Sequence, residues 1–299
     1  MKRIIRTSFF IIGLGALLIV IGFMTGGRIK RAFYGYDEEW SMHDENTGTE
    51  IAAYTPDTQL MIPGGSALQH LKADVSYAVL RIEPHDEPFV SYNITGNTKK
   101  RAASVRIADN ALLISTNKRR NRLFGWYGNT TERLSLSITV RIPRNTAFET
   151  VAMNIGVASL FLDGFTITKA FSLNTGVGEV EIKNIIASNV DIKTGMGETA
   201  FRNCTFTDTV LQTGLGETSF DGRILKNLDI NAGVGAIDMR INGKKSDYTI
   251  HSITGIGSIL INERTATGIR NSFRVSAQDA PHTMNIKAGI GEVRIHFTE

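Results

Sequence analysis

Glu179, Glu198 and Glu217 occupy the same place in three successive copies of a short phrase. The copies read Thr175-Gly176-Val177-Gly178-Glu179, Thr194-Gly195-Met196-Gly197-Glu198 and Thr213-Gly214-Leu215-Gly216-Glu217. Stacked in register, they would set the carboxylates ~4.8 Å apart, one strand spacing. Like charges that close raise the pKa of at least one member or attract a cation. An acid pair in a cleft, such as Glu198 with Glu217 or Asp238, would suit cleavage of a polysaccharide. The plainer reading is an outward row screened by water and by Lys183 or Lys193. Ala236 and Ser258 hold the equivalent place in neighbouring copies and shorten the column.

The other chemistry-bearing residues exclude more than they supply. The G-x-G pairs lack the third glycine and the strand-to-helix setting of a dinucleotide loop. The calcium-roll phrase G-G-x-G-x-D is absent, so no calcium is expected in the turns. His43, His70, His85, His251, His282 and His296 are scattered, with no H-E-x-x-H among them, and there is no G-x-S-x-G elbow. The single cysteine, Cys204, rules out an intramolecular disulfide framework and a cysteine-rich zinc site. It reads as a small buried hydrophobe. No catalytic residue, metal site or cofactor is expected.

The phrase recurs seven times, and that recurrence gives the elements that position everything else. Its first glycines are Gly156, Gly176, Gly195, Gly214, Gly233, Gly255 and Gly289, so the spacings are 20, 19, 19, 19, 22 and 34. Self-similarity at about 20 residues marks a stacked repeat. Counting from the first glycine, position −3 carries Met153, Leu173, Ile192, Leu211, Ile230, Ser252 and Ile286. Position +6 carries Leu162, Ile182, Phe201, Phe220, Met239, Ile261 and Ile295. Positions −5 and +4 are apolar or Thr, and the residues between are polar. This is period-two alternation in two short runs flanking the glycine pair. A third column is expected at +11, from Ile167, Ala187, Phe206 and Leu225, and the apolar residue at +1 is expected to point inward at the corner. The paired glycines Gly176 and Gly178, Gly195 and Gly197, Gly214 and Gly216, Gly233 and Gly235, Gly255 and Gly257, and Gly289 and Gly291 are expected to be structural, allowing positive φ or close contact between rungs. The pattern predicts an all-β chain: a parallel β-solenoid or β-roll over residues 151–299, with a looped-out insertion at Asn262–Gly268.

The chain of 299 residues carries a net charge of +4, too mild to point to nucleic acid. Residues 7–27 are uncharged, between Arg6 and Arg28. As a helix they would extend ~31 Å, enough to cross a bilayer. We expect residues 1–27 to form a single-pass signal anchor in the cell membrane, with the carboxy-terminal domain outside. The basic count of three on each side does not by itself fix orientation. Gly22 and Gly26 form one G-x-x-x-G. Residues 28–60 read as a juxtamembrane spacer. Residues 61–150 read as a β-rich lead-in that caps the solenoid, with strands expected at Val75–Ile82, Phe89–Thr95, Ser104–Ala108, Ala111–Thr116 and Leu134–Ile142. Within it, Lys118, Arg119, Arg120 and Arg122 stand beside Phe124, Trp126 and Tyr127. That loop suits an anionic membrane surface or anionic wall polymer; the alternative is a hairpin whose aromatics fold back on the sheet.

The series of T-G-x-G-E phrases, preceded by Ile142-Pro143, resembles the bacterial "putative adhesin" domain of unknown function over about residues 65–297. The resemblance implies a β-solenoid at the surface of Gram-positive membrane proteins, among them relatives of the Lia-type envelope-stress proteins. It implies no established chemistry and supplies no catalytic residues. The leading expectation is a non-catalytic, membrane-anchored scaffold in envelope sensing, adhesion or assembly. Its partners would be a wall polymer or membrane protein, or a second copy meeting the solenoid end at Glu292–Phe297. A polysaccharide-cleaving β-helix enzyme, whose acidic ladder the glutamate column resembles, and a self-assembling filament are the alternatives.

Overall fold

Alternating apolar and polar residues put one side of each strand into a shared interior, and a chain that turns every 19 or 20 residues returns like residues to like places. A computed structural model of the chain describes residues 55–62, 67–96, 103–116, 136–275 and 279–298. The apolar segment 7–27, the spacer up to residue 54 and the basic loop 118–127 lie outside them. The described residues are strands and turns, with one 3-10 turn at Lys245–Asp247.

The strands are β1 (Thr55–Leu60), β2 (His70–His85), β3 (Val90–Gly96), β4 (Ala103–Ala108), β5 (Ala111–Thr116), β6 (Leu136–Pro143), β7 (Ala147–Asp163), β8 (Thr166–Val177), β9 (Val180–Lys183), β10 (Ile186–Met196), β11 (Thr199–Asn242), β12 (Tyr248–Ile261), β13 (Arg264–Val275) and β14 (His282–Thr298). β2, β7, β8, β10, β11, β14 and β12 neighbour one another in that order, in parallel, and β9 continues the rung begun by β8. The result is a parallel, solenoid-like stack. Register is strict: Leu173 neighbours Met153 and Ile192, and Ile192 neighbours Leu211. Every residue at −3, and every residue at +6 from Leu162 to Ile295, is buried, none more than 6% exposed. Each large apolar side chain removed from water contributes roughly 1.5–3 kcal/mol.

Ser76 stands in β2 where later rungs have their first glycine, with Tyr77 paired to Val157. β2 is therefore a full rung that the glycine phrase does not mark. β3 and β6 pair antiparallel on one half of β2, and the β4–β5 hairpin covers the other half. That hairpin turns through Asp109 and Asn110 at φ 50° and 57°, the left-handed pair a two-residue turn requires.

The far end departs from expectation. The chain leaves β11, builds β12 one rung beyond the next available place, and folds back antiparallel as β13. It then returns to insert β14 between the last turn of β11 and β12, with Ile230 beside Ile286 and Ile286 beside Ser252. The spacing of 34 thus holds a hairpin, and Asn262–Gly268 is not looped out: Asn262 begins the turn and Arg264–Gly268 belong to β13. Glu292–Phe297 lies inside the sheet and is not an exposed edge. The strand at this end is β13, which carries Arg264, Arg270 and Arg274, charges that discourage strand addition. At +11, Ile167, Ala187 and Phe206 are buried, but Leu225 is only half-buried and Ile224 fills the column. Gly222 occupies the place of Cys204, so the register there shifts by one.

The corners show why glycine recurs. A Cβ at Gly197 would lie 1.8 Å from the Gly178 carbonyl oxygen, and φ there is +136°. At the next corner, Gly164, Asn184 and Asn203 have φ of 72°, 52° and 53°. The amide of Asn203 donates to the Asn184 side-chain oxygen at 2.7 Å, and that of Asn184 to Asp163 at 2.7 Å. Asparagine tolerates the left-handed region and caps its neighbour at once.

Two expectations follow. Gly197→Ala should lower stability by about 3 kcal/mol in urea unfolding, because both space and conformation forbid it. Thr209 is buried with its hydroxyl unpartnered beside a void of about 10 Å³ bounded by Ile192, Phe206 and Phe220. Thr209→Val should raise stability by about 1 kcal/mol in the same assay.

Candidate interaction surface

Six rungs turn through glycine, one apolar residue and glycine; the β7 rung turns through Gly156-Val157-Ala158 and the β2 rung through Ser76-Tyr77-Ala78. The second glycine of each pair has φ between +136° and +147°, but Val157 and Tyr77 are turned out of the period-two alternation as well, so the break belongs to the corner and not to that glycine alone. The +1 residues therefore do not point inward, which corrects the expectation for that column. Tyr77, Val157, Val177, Met196, Leu215, Ile256 and Ile269 are 39–78% exposed. Val234 and Ile290 are half-buried. The pairing places these side chains in one line: Tyr77 beside Val157, then Val177, Met196 and Leu215, then Val234 beside Ile290, Ile256 and Ile269. At one strand spacing per step, the ridge is ~38 Å long. Along most of it the column of first glycines, without side chains, runs on one side and the second glycines on the other; Ser76 and Ala78 take these places beside Tyr77, and Ala158 follows Val157.

The glutamates sit next to this ridge. Glu179 and Glu198 are half-buried and Glu217 is exposed. Their backbones are laddered, the Val180 amide donating to the Glu198 carbonyl at 2.9 Å. They flank a convex corner, and neither the void at Thr209 nor the shallow groove of about 300 Å³ beside Lys72, Asp74, Arg106 and Asn154 includes them. Glu292 extends the column beyond Ala236 and pairs with Arg294, which also lies 3.9 Å from Asp238. Across the ridge, position −2 holds Asn154, Asn174, Lys193, Gln212, Asn231, Lys287 and Ile253, all exposed. One rung face further on, Glu181 accepts from Lys183 at 3.0 Å and Arg202 at 2.9 Å. Burial works to raise its carboxyl, but the two cations outweigh that and hold it below the usual carboxylate range.

Among the described residues, no three His, Cys, Asp or Glu side chains are grouped to hold a metal ion. His70 meets Thr150, His85 meets the Phe89 carbonyl, and His282 accepts from the Lys226 amide, so each serves its own neighbourhood. Lys118, Arg119, Arg120, Arg122, Trp126 and Tyr127 lie outside the described residues. The exposed ridge was missed from sequence because apolar character was equated with burial. The glycines beside most +1 residues mark the corner, but Val157 and Tyr77 are turned out with Ala158 and Ala78 after them.

The sequence matches the Toastrack DUF4097 family model over residues 68–298. The chain belongs to the Toastrack family. The matched span begins with the β2 rung and ends with β14, so the family unit is the whole stack. No curated protein matches the sequence. Solved structures similar to it include the following two. One, from Clostridium sporogenes, is described as a "putative cell adhesion protein", with 13% identity, TM-score 0.37, and coverage of 81% of this chain and 99% of the other. The second, from Bacteroides fragilis, is described as a "putative adhesin", with 12% identity, TM-score 0.37, and coverage of 81% and 96%. Among the described residues, no helix is long and apolar enough to cross a membrane.

Cys204 lies in the interior of the Toastrack stack, 1% exposed, and burial pushes its thiol up to about 11. A thiol held neutral in the folded state adds no pH dependence below its unfolded value of 9.0. Above that, the unfolded chain ionises first and stability falls by about 1.4 kcal/mol per pH unit until the folded value is reached. Between pH 9 and 11, native protein should resist alkylation, and the loss of stability should be smaller in Cys204→Ala than in the parent.

Proposed function

We propose that this chain is a membrane-tethered, non-catalytic binding scaffold, with residues 7–27 as the anchor and the Toastrack stack outside the cell. The observation that carries the reading is the continuous apolar ridge at an exposed corner. Monomeric proteins seldom expose apolar patches beyond a few hundred Å² unless these bind something. The ridge sits on backbone held by rung-to-rung hydrogen bonds, so a partner meets a preformed surface at low ordering cost. The acids beside it lie on a convex corner, the opposite of the enclosed, water-poor setting an acid pair needs to hold a raised pKa. The basic, aromatic loop at 118–127 adds a second contact of a different kind, toward anionic wall polymer or lipid headgroups.

Protease treatment of intact cells tests the placement. A carboxy-terminal tag should be lost while a cytoplasmic control survives; a tag that persists would place the stack inside. For the loop, replacing Arg119, Arg120 and Arg122 with Ser should weaken binding to anionic vesicles by tenfold or more, at about 1 kcal/mol per basic residue. Unchanged binding would remove the loop from the proposal.

A further inference from the structure

We propose that two copies of this chain pair in parallel, ridge beside ridge, about a two-fold axis that runs along the stack. The spacing of the corner residues carries the argument. An axis lying between the first-glycine column and the apolar column exchanges position 0 with +1, and position −2 with +3. From Val157 to Ile256 each apolar ridge then lies in the side-chain-free channel left by the first glycines of the other copy; Ser76 and Arg270 close that channel at its two ends. Packing of large against absent side chains is the shape match that such a surface offers. Isologous contact of this sort closes on itself and gives a dimer, not a filament.

The same operation decides the charges. In every rung with a glutamate at +3, position −2 holds a cation or an amide donor. Lys193 faces Glu198 of the second copy and Lys287 faces Glu292, while Asn174 faces Glu179 and Gln212 faces Glu217. Where +3 holds Ser258, position −2 holds Ile253, and no like charges meet between the −2 and +3 columns. Within its own chain Lys193 already contacts Asp191 at 3.0 Å, and Glu292 contacts Arg294, so these groups are held at the surface in reach of a partner. The antiparallel alternative, with the axis across the stack, would lay the acidic columns of the two copies over each other, which costs affinity.

Size is adequate. Seven ridge side chains at 39–78% exposure, with the flanking columns, amount to several hundred Å² per copy. That is of the order of the ~800 Å² per partner of a standard interface. The parallel arrangement also brings both copies' β1 to the same end of the dimer, as two chains anchored through residues 7–27 in one bilayer require.

Cysteine cross-linking of the full-length chain in membranes tests this. Cys204 is buried and stays silent. Tyr77→Cys, Met196→Cys, Leu215→Cys and Ile256→Cys should each cross-link to themselves under mild oxidation. Their yield should be roughly tenfold above that of Ile186→Cys, an exposed site on another face, since a disulfide needs Cα atoms within about 7 Å. In the Leu215→Cys chain, Glu198→Lys should cut the yield about fivefold, and adding Lys193→Glu should restore it. Yields no higher than for Ile186→Cys would overturn the dimer. Cross-linking of Tyr77→Cys with Ile256→Cys, but of neither with itself, would overturn the parallel orientation. A failure of Lys193→Glu to rescue would overturn the pairing of like rungs.

Discussion

The backbone of one rung touches the backbone of the next at every glycine corner, and that contact fixes the register of the whole stack. A carbonyl oxygen from the preceding rung occupies the space where a Cβ would stand at Gly178, Gly197, Gly216, Gly235, Gly291 and Gly257. With the corner fixed, a slip of one residue would turn every apolar column outward. The strict register along the −3 and +6 columns is the consequence, and the long exposed line of +1 residues is another. One constraint therefore produces both the buried core and the surface that is free to bind.

The corner also explains why the surface is apolar without being a core. In six rungs a glycine on each side of the +1 residue leaves it no adjacent side chain along the strand. Val177, Met196 and Leu215 keep 39–50% of their surface in water, and the bare channel beside them is a complementary shape made by the first glycines. Shape and charge along this corner repeat with the rung, so any partner that fits one rung fits several, and the contributions accumulate along the stack.

Much of this was legible in the sequence. The period-two columns at −5, −3, +4 and +6 became the interior, and the strands expected between 75 and 142 stand at β2 to β6. Three features were not legible, each for a physical reason. The order of the last rungs was hidden because a spacing of 34 fits a looped insertion as well as a hairpin; only pairing shows that β14 returns between β11 and β12. The β2 rung was hidden because Ser76 replaces the glycine that marks the others. The +1 column points outward against expectation because apolar residues are read as buried, and the break in alternation at the corner is marked by no residue type common to all the rungs, Ala78 and Ala158 standing where others have glycine. Of the candidate site, the glutamate column was found in its correct register, but its position on a convex corner emerged only from the fold.

The register and the non-sequential order of the last rungs are tested most directly by methyl nuclear Overhauser contacts in the folded protein. This winding predicts contacts linking Leu173 to Ile192, Ile192 to Leu211, Ile230 to Ile286 and Leu228 to Met284, with none between Leu228 and Ile250. Direct contact of Leu228 with Ile250, as sequential winding would give, or absence of the Ile192–Leu211 contact, would contradict it.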